Sequence, residues 1–170
     1  MRLRPYKPSD AQTILSWVRD EETFRRWVTD RYPGYPITPE QMNEKYFIHN
    51  GDCREPDNFY PMTACDEKGL LGHLILRFTD ERKETLRFGF VIVDDSRRGA
   101  GIGRQMLGMA VKYAAEFLGA KKLTIGVLDN NPGALRCYLG AGFREVPQAE
   151  PVYYELLGQR IRCIELEMDV

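Results

Sequence analysis

Arg98-Gly99-Ala100-Gly101-Ile102-Gly103 stands between two stretches of different periodicity. Before it, Phe88-Gly89-Phe90-Val91-Ile92-Val93 is short, apolar and β-branched, and Asp94-Asp95-Ser96 closes it; this reads as a buried strand with its exit turn. After it, over residues 104–118, Leu107, Ala110, Val111, Ala114 and Leu118 recur at helical spacing. The order strand, glycine-rich turn, helix start directs backbone N–H groups that lack intrahelical partners, at the positive end of a helix dipole, toward one spot. Glycines leave room for a ligand to approach that backbone closely. The expected occupant is a phosphate or pyrophosphate.

Spacing narrows the ligand. A dinucleotide fingerprint needs G-x-G-x-x-G, whereas Gly99, Gly101 and Gly103 give G-x-G-x-G with Arg104 in the slot of the third glycine. A nucleoside-triphosphate loop ends in Gly-Lys-Ser/Thr, a tripeptide the chain lacks. The segment resembles instead the acyl-CoA pyrophosphate loop of the GNAT superfamily of N-acetyltransferases. That pattern, Gln/Arg-x-x-Gly-x-Gly/Ala between strand and helix, is met by Arg98, Gly101 and Gly103. The resemblance implies that Arg98, Gly99, Ala100, Gly101, Ile102, Gly103 and Arg104 hold the pyrophosphate of acetyl-CoA. The plain alternative is a tight turn beside a solvated cluster of Arg97, Arg98 and Arg104.

A second motif lies downstream. Over residues 121–129, Leu123, Ile125 and Val127 alternate as in a strand, and Asn130-Asn131-Pro132 makes a helix start with Asn131 as N-cap and Pro132 at the first helical position. Ala134, Leu135, Tyr138 and Leu139 follow at helical spacing, and Gly142 suits a left-handed stop before Phe143. The GNAT signature in this region, Asn-x-x-Ala-x-x-x-Tyr-x-x-x-Gly-Phe, is matched in every slot by Asn131, Ala134, Tyr138, Gly142 and Phe143.

Composition sets the frame around these motifs. At 170 residues, with 43% hydrophobic and 29% charged residues, the chain fits one globular domain, residues 1–170, with a sizeable core. A formal net charge of −1 gives no bulk attraction to nucleic acid or to an anionic membrane. Met1-Arg2-Leu3-Arg4-Pro5 lacks a secretory apolar segment, and no apolar run approaches membrane-spanning length. Cys53, Cys65, Cys137 and Cys163 show no metal or redox spacing and suit free thiols in a reducing cytoplasm. The expectation is a cytoplasmic protein without a metal. His49 and His73, with no partner at metal spacing, read as local polar residues.

Along the chain, residues 3–6 read as a first strand, and Ser9 or Asp10 caps a helix carrying Ile14, Leu15, Trp17 and Val18. Residues 21–28 form a second helix, a proline-rich segment covers 32–39, and Thr38 caps a third helix to about His49. Residues 50–58 read as loop. Residues 60–66 and 70–79 make a hairpin around Glu67-Lys68-Gly69, residues 84–93 a fourth strand, and residues 143–146 and 159–168 the final strands. This order is similar to the α/β GNAT acyl-CoA N-acyltransferase fold, a central mixed, mostly antiparallel sheet flanked by helices. The match is tightest over residues 70–146.

The resemblance implies the chemistry. Backbone groups of Val91, Ile92 and Val93 would bind the pantetheine arm where the fourth strand parts from its neighbour, and N–H groups aimed at a developing oxyanion lower the barrier to acyl transfer. Tyr138 would protonate the leaving thiolate, and Asn131 would contact acetyl-CoA near the thioester. Asn131 as a mere N-cap and Tyr138 as a packed helix residue are the plain alternatives. Cys137, turned away from Tyr138 on the same helix, reads as packed, and no covalent intermediate is required.

The general base is less defined. Many family members carry a glutamate on the fourth strand level with Arg87 or Phe88; here the candidate is Glu84, which also reads as a solvated strand-end charge. Without a strong base, a lysine amine costs about 4.6 kcal/mol to deprotonate at pH 7 against about 1 kcal/mol for an α-amine. This favours amines of low pKa.

Trp17, Phe24, Trp27, Tyr32, Tyr35, Tyr46 and Phe47 fill the first half, most of them as helix faces, with Tyr32 and Tyr35 expected to face the acceptor. Leu3-Arg4-Pro5 and Ser9-Asp10-Ala11, with Trp17 and Trp27, are similar to the branch containing ribosomal-protein N-terminal acetyltransferases; aminoglycoside and polyamine acceptors stay open. The expected partner is a small-molecule or peptide amine, not nucleic acid or membrane, and a homodimer is left open. The rival function is a non-catalytic acyl-CoA sensor with the same fold.

Overall fold

Apolar residues at period two build one sheet in the computed structural model, which describes residues 1–97 and 99–170. The elements are β1 (Arg2–Pro5), α1 (Ala11–Ser16), α2 (Glu21–Val28), α3 (Pro39–Asn43), β2 (Tyr60–Asp66), β3 (Gly69–Phe78), β4 (Thr85–Val93), α4 (Ile102–Glu116), β5 (Lys122–Leu128), α5 (Pro132–Gly140), β6 (Arg144–Glu145), β7 (Val152–Leu156) and β8 (Gln159–Asp169). Strand order is β1-β2-β3-β4-β5-β8-β6, and β7 also pairs with β8. Only β4 and β5 run parallel; the other pairings are antiparallel.

The two faces of the sheet carry separate cores. On one, Leu74, Leu76, Leu86, Phe88, Leu123 and Ile125 pack against Met106, Leu107 and Ala110 of α4 and Tyr138 of α5. On the other, Ile75 and Ile92 meet Ile14, Phe24, Trp27, Met42 and Tyr46 from the N-terminal helices. β3 is therefore buried at six consecutive positions, Leu71 to Leu76, as a strand covered on both faces must be.

Several N-terminal details differ from the sequence expectation. Asp10 does not cap α1. Its carboxylate accepts from the Lys7 backbone N–H at 2.9 Å, the Thr63 hydroxyl at 3.0 Å and both terminal nitrogens of Arg4 at 2.8 Å. This buried knot ties β1 to β2, a structural duty for the Arg4 and Asp10 that carried the N-terminal likeness. The third helix does begin at a Thr38 capping box with Gln41, but after Asn43 it widens into a π-helical turn over Glu44–Ile48.

β7 was not expected. It forms a hairpin with β8 through Leu157 and Gly158, both at positive φ. Its signal was Val152-Tyr153-Tyr154 followed by the glycine of a tight turn. A leucine in the first left-handed position hides such a turn, because that place usually takes Asn, Asp or Gly.

Candidate active site

A β-bulge decides the geometry of the site. Register along β3 and β4 runs from Ile75↔Gly89 to His73↔Ile92, so Phe90 and Val91 together oppose Leu74. Phe90 takes φ = 48°, a conformation costing a non-glycine residue about 1–3 kcal/mol. The extra residue shifts the alternation by one. Leu86 and Phe88 face the α4 core, whereas Phe90 and Ile92 face the N-terminal helices, and Val91 and Val93 swing to the α4 side. Trp27 of α2 supports the turn, its Nε1–H donating to the Phe90 carbonyl at 2.8 Å.

Beyond the bulge the sheet opens. β4 and β5 pair only from Thr85↔Lys122 to Phe88↔Ile125; farther on, Gly89–Val93 and Gly126–Leu128 make no ladder with each other. A cleft of about 760 Å3 fills this gap, within the range of small-ligand sites. Its walls include both parted strand segments, Trp27 to Thr29, the loop before α4 and the first turns of α5.

At one end lies the glycine loop. Gly99 and Gly101 have φ of 83° and 74°, and a Cβ at either would meet nothing within 4 Å, so the loop presents open backbone. Gly103 differs: a Cβ there would lie 3.0 Å from Cys137 Sγ and 3.5 Å from Val93 Cγ2. Its missing side chain lets α4 sit close to α5. The first hydrogen bond of α4 runs from Gln105 N–H to the Gly101 carbonyl at 3.0 Å, leaving the opening N–H groups of the helix without intrahelical acceptors. Ile102 and Arg104 line the cleft with these glycines and are joined by Arg136 of α5; Arg97 also lines it but is engaged by Asp66 at 3.1 Å. Ala100 is exposed and outside the cleft wall. Arg98 lies outside the described residues.

The second motif reaches the same cavity. Asn131 caps α5, its side chain accepting from Ala134 N–H at 3.2 Å, and its residue lines the cleft. Tyr138 is 6% exposed and lines the cleft, yet its hydroxyl has no hydrogen-bond partner among the described residues. Burial pushes that hydroxyl well above the ordinary tyrosine range, so it remains a proton donor at neutral pH. Cys137 beside it is half-buried, and burial raises its thiol too, which disfavours the nucleophilic thiolate.

Glu84 is a correction. It precedes β4 at the end away from the bulge, ion-pairs with Lys121 and is absent from the cleft wall. Some seven residues of extended chain, about 23 Å, separate it from Val91, beyond the reach of a general base. Tyr32 and Tyr35 are corrections as well. They pack on Phe24 in the N-terminal core, and of the expected aromatic residues Trp27 alone lines the cleft. Among the described residues of the wall the one carboxylate is Asp52, held by Lys45 Nζ at 2.5 Å.

Sequence reasoning missed the far end of the cleft, where Arg31, Arg77, Arg87, Tyr154 and Cys163 converge. These come from five places in the chain, so no local spacing marks them. No group of three or more His, Cys, Asp or Glu among the described residues is placed to hold a metal ion, and no described helix is long and apolar enough to cross a membrane.

Comparison with known proteins agrees with this architecture. The acetyltransferase (GNAT) domain family matches residues 1–144. A spermine/spermidine N(1)-acetyltransferase of Bacillus subtilis (strain 168) is 26% identical over 98 residues, which cover 55% of this chain and 64% of that protein; the match thus spans under two thirds of this curated relative. Among solved structures, the spermidine N-acetyltransferase from Vibrio cholerae in complex with CoA and spermine superimposes with a TM-score of 0.80 at 19% identity, covering 99% of this chain and 94% of that one. The smu.2055 protein of Streptococcus mutans UA159 gives a TM-score of 0.72 at 20% identity, covering 99% of each chain. With the family matched across most of its length and the parted strands, glycine loop and capped α5 all in place, the chain belongs to the GNAT acetyltransferase family.

Proposed function

We propose that this protein is an acetyl-CoA-dependent N-acetyltransferase that moves the acetyl group directly to a primary amine. The observation that carries the reading is the unpartnered Tyr138 hydroxyl in a cleft that joins an open glycine loop to the gap between β4 and β5. The residues fit the cofactor. Open backbone at Gly99 and Gly101, the start of α4, Arg104 and Arg136 suit a pyrophosphate. The β4 edge over Val91, Ile92 and Val93 offers ladder groups, unused by β5, to an amide-bearing arm.

Bound acetyl-CoA supplies an acyl thioester, an activated acetyl group with a thiolate leaving group. The chain's own groups do the rest. N–H groups of the bulged segment would polarise the thioester carbonyl, and Asn131, at the start of α5, would orient the reacting end. Tyr138 Oη would donate its proton to the departing sulfur and, with its pKa raised by burial, would be reprotonated from solvent between turnovers. With Glu84 remote and Asp52 engaged by Lys45, the amine proton leaves to solvent.

Tyr138→Phe tests this reading. It should lower kcat on the order of a hundredfold while leaving CoA affinity unchanged, measured by thiol release and by calorimetry. An unaltered rate would remove Tyr138 as the acid. Absence of turnover with any amine in the unmodified protein, alongside intact CoA binding, would favour the sensor.

A further inference from the structure

The far end of the cleft carries a charge pattern that an acetyl-CoA site does not need. Arg77 on β3 and Arg87 on β4 are direct cross-strand partners and share one face of the sheet. Like charges so placed repel unless something neutralises them. Arg87 has its own counter-ion: its two terminal nitrogens donate to the Glu165 carboxylate at 2.7 and 2.8 Å. Gly126 makes room for that pair, since a Cβ there would lie 2.7 Å from Arg87 and 3.1 Å from Glu165. Among the described residues Arg77 has no carboxylate partner, its neighbour instead being the Cys53 thiol, and Arg31 beside the same space has no ion-pair partner either. Of the nearby acids, Asp52 is already matched by Lys45, and Asp30, next to Arg31, acts on Tyr154.

Position separates this cluster from the phosphates of the cofactor. Arg87 stands six residues before Val93, about 20 Å along the strand, and the glycine loop lies farther still. It stands only three to four residues, about 10–13 Å, before the bulge at Phe90 and Val91. A small amine at the thioester could therefore rest its other end on these guanidinium groups.

We propose, building on the acetyltransferase reading, that the acceptor is a small amine that also bears a carboxylate or phosphate, bound by Arg77 with Arg87 and Arg31. The planar fork of an arginine pairs with either anion through two parallel N–H donors. The reaction is unchanged: nitrogen attacks the acetyl carbonyl, the sulfur departs with the Tyr138 proton and the amine proton goes to water. A polyamine, cationic along its length, meets three arginines here against Asp52, held by Lys45, and Asp30 beside Tyr154, so the acceptors named for the Bacillus subtilis and Vibrio cholerae proteins suit this end of the cleft less well than an anionic amine does.

The test compares matched amines with the full chain: amino acids against their carboxamides, phosphoethanolamine against ethanolamine, and spermidine. Both acetyl transfer and calorimetric binding to the CoA complex are read. The expected result is a preference of ten- to a hundredfold for the anionic member of one pair, the pair identifying the anion. That preference should collapse in Arg77→Gln and fall in Arg31→Gln, with CoA affinity intact in both. Anion-selective binding without transfer would support the anion site and remove the transferase reading. Transfer to spermidine or to neutral amines with no anionic preference would do the reverse. Failure of every anionic amine to bind, or a preference surviving both substitutions, would overturn the proposal.

Discussion

His73 is fully buried, its Nε2 2.8 Å from the Tyr46 hydroxyl and its Nδ1 without a hydrogen-bond partner among the described residues. Burial drives its pKa down to about 3. The unfolded chain takes up this proton near pH 6.5 and the folded chain does not, so stability is lost as pH falls from about 6.5 toward 3. Between pH 7 and pH 5 the loss from this residue is about 2 kcal/mol. Urea unfolding at both values should show it in the parent and not in His73→Gln; equal pH dependence in the two would place the titration elsewhere. A second residue-scale expectation concerns the loop. Gly103→Val forces apart Cys137 and Val93 and should destabilise the fold by about 1–3 kcal/mol as well as weaken CoA, whereas Gly103→Ala should do less of both. Spacing gathered Gly99, Gly101 and Gly103 into one motif, but the neighbour that distinguishes Gly103 arrives from another helix. Glu84 was misjudged for the same reason, since its partner Lys121 stands on the far side of α4 in sequence.

At the scale of elements, a helix props open a strand. The Trp27 indole N–H on the Phe90 carbonyl links α2 to the bulge, and a partly buried hydrogen bond removed from one side costs about 1 kcal/mol. Trp27→Phe should therefore lower stability by about that amount and also weaken acetyl-CoA binding, both read on the same preparation by unfolding and calorimetry. Unchanged affinity would mean that β4 keeps its shape without α2. Much at this scale was legible: α2 runs over Glu21–Val28 and β2 over Tyr60–Asp66 as periodicity indicated, and Asn131 caps α5. The bulge was not legible, because Phe88-Gly89-Phe90-Val91-Ile92-Val93 reads as an uninterrupted strand whichever face each residue takes. A phase shift between two apolar cores leaves no polar residue out of place. The mirrored failure occurred at Tyr32 and Tyr35, where a Pro- and Gly-rich segment suggested exposure and the aromatic core claimed both side chains.

For the whole molecule, a formal net charge of −1 conceals an uneven distribution. The cleft wall gathers Arg26, Arg31, Arg77, Arg87, Arg97, Arg104 and Arg136 around the single carboxylate of Asp52 among the described residues. On the proposed reading the two ends of that stripe divide the work, the phosphates of the cofactor by the glycine loop and the acceptor near Arg77 of β3 and Arg87 of β4. Added salt should weaken CoA binding accordingly, and a CoA affinity independent of ionic strength would argue against the charge contribution. The first end was visible as a motif because its residues are contiguous; the second exists only after folding.

The most direct measurement is the unfolding midpoint of the purified protein with acetyl-CoA, CoA and NAD. A ligand at about 100 times its dissociation constant adds about 2.7 kcal/mol, or about 5–10 °C for a chain of this size. A rise of that order with acetyl-CoA and CoA, and none with NAD, is the expected result. No rise with either coenzyme A species, or a rise with NAD alone, would contradict an acyl-CoA site between β4 and β5.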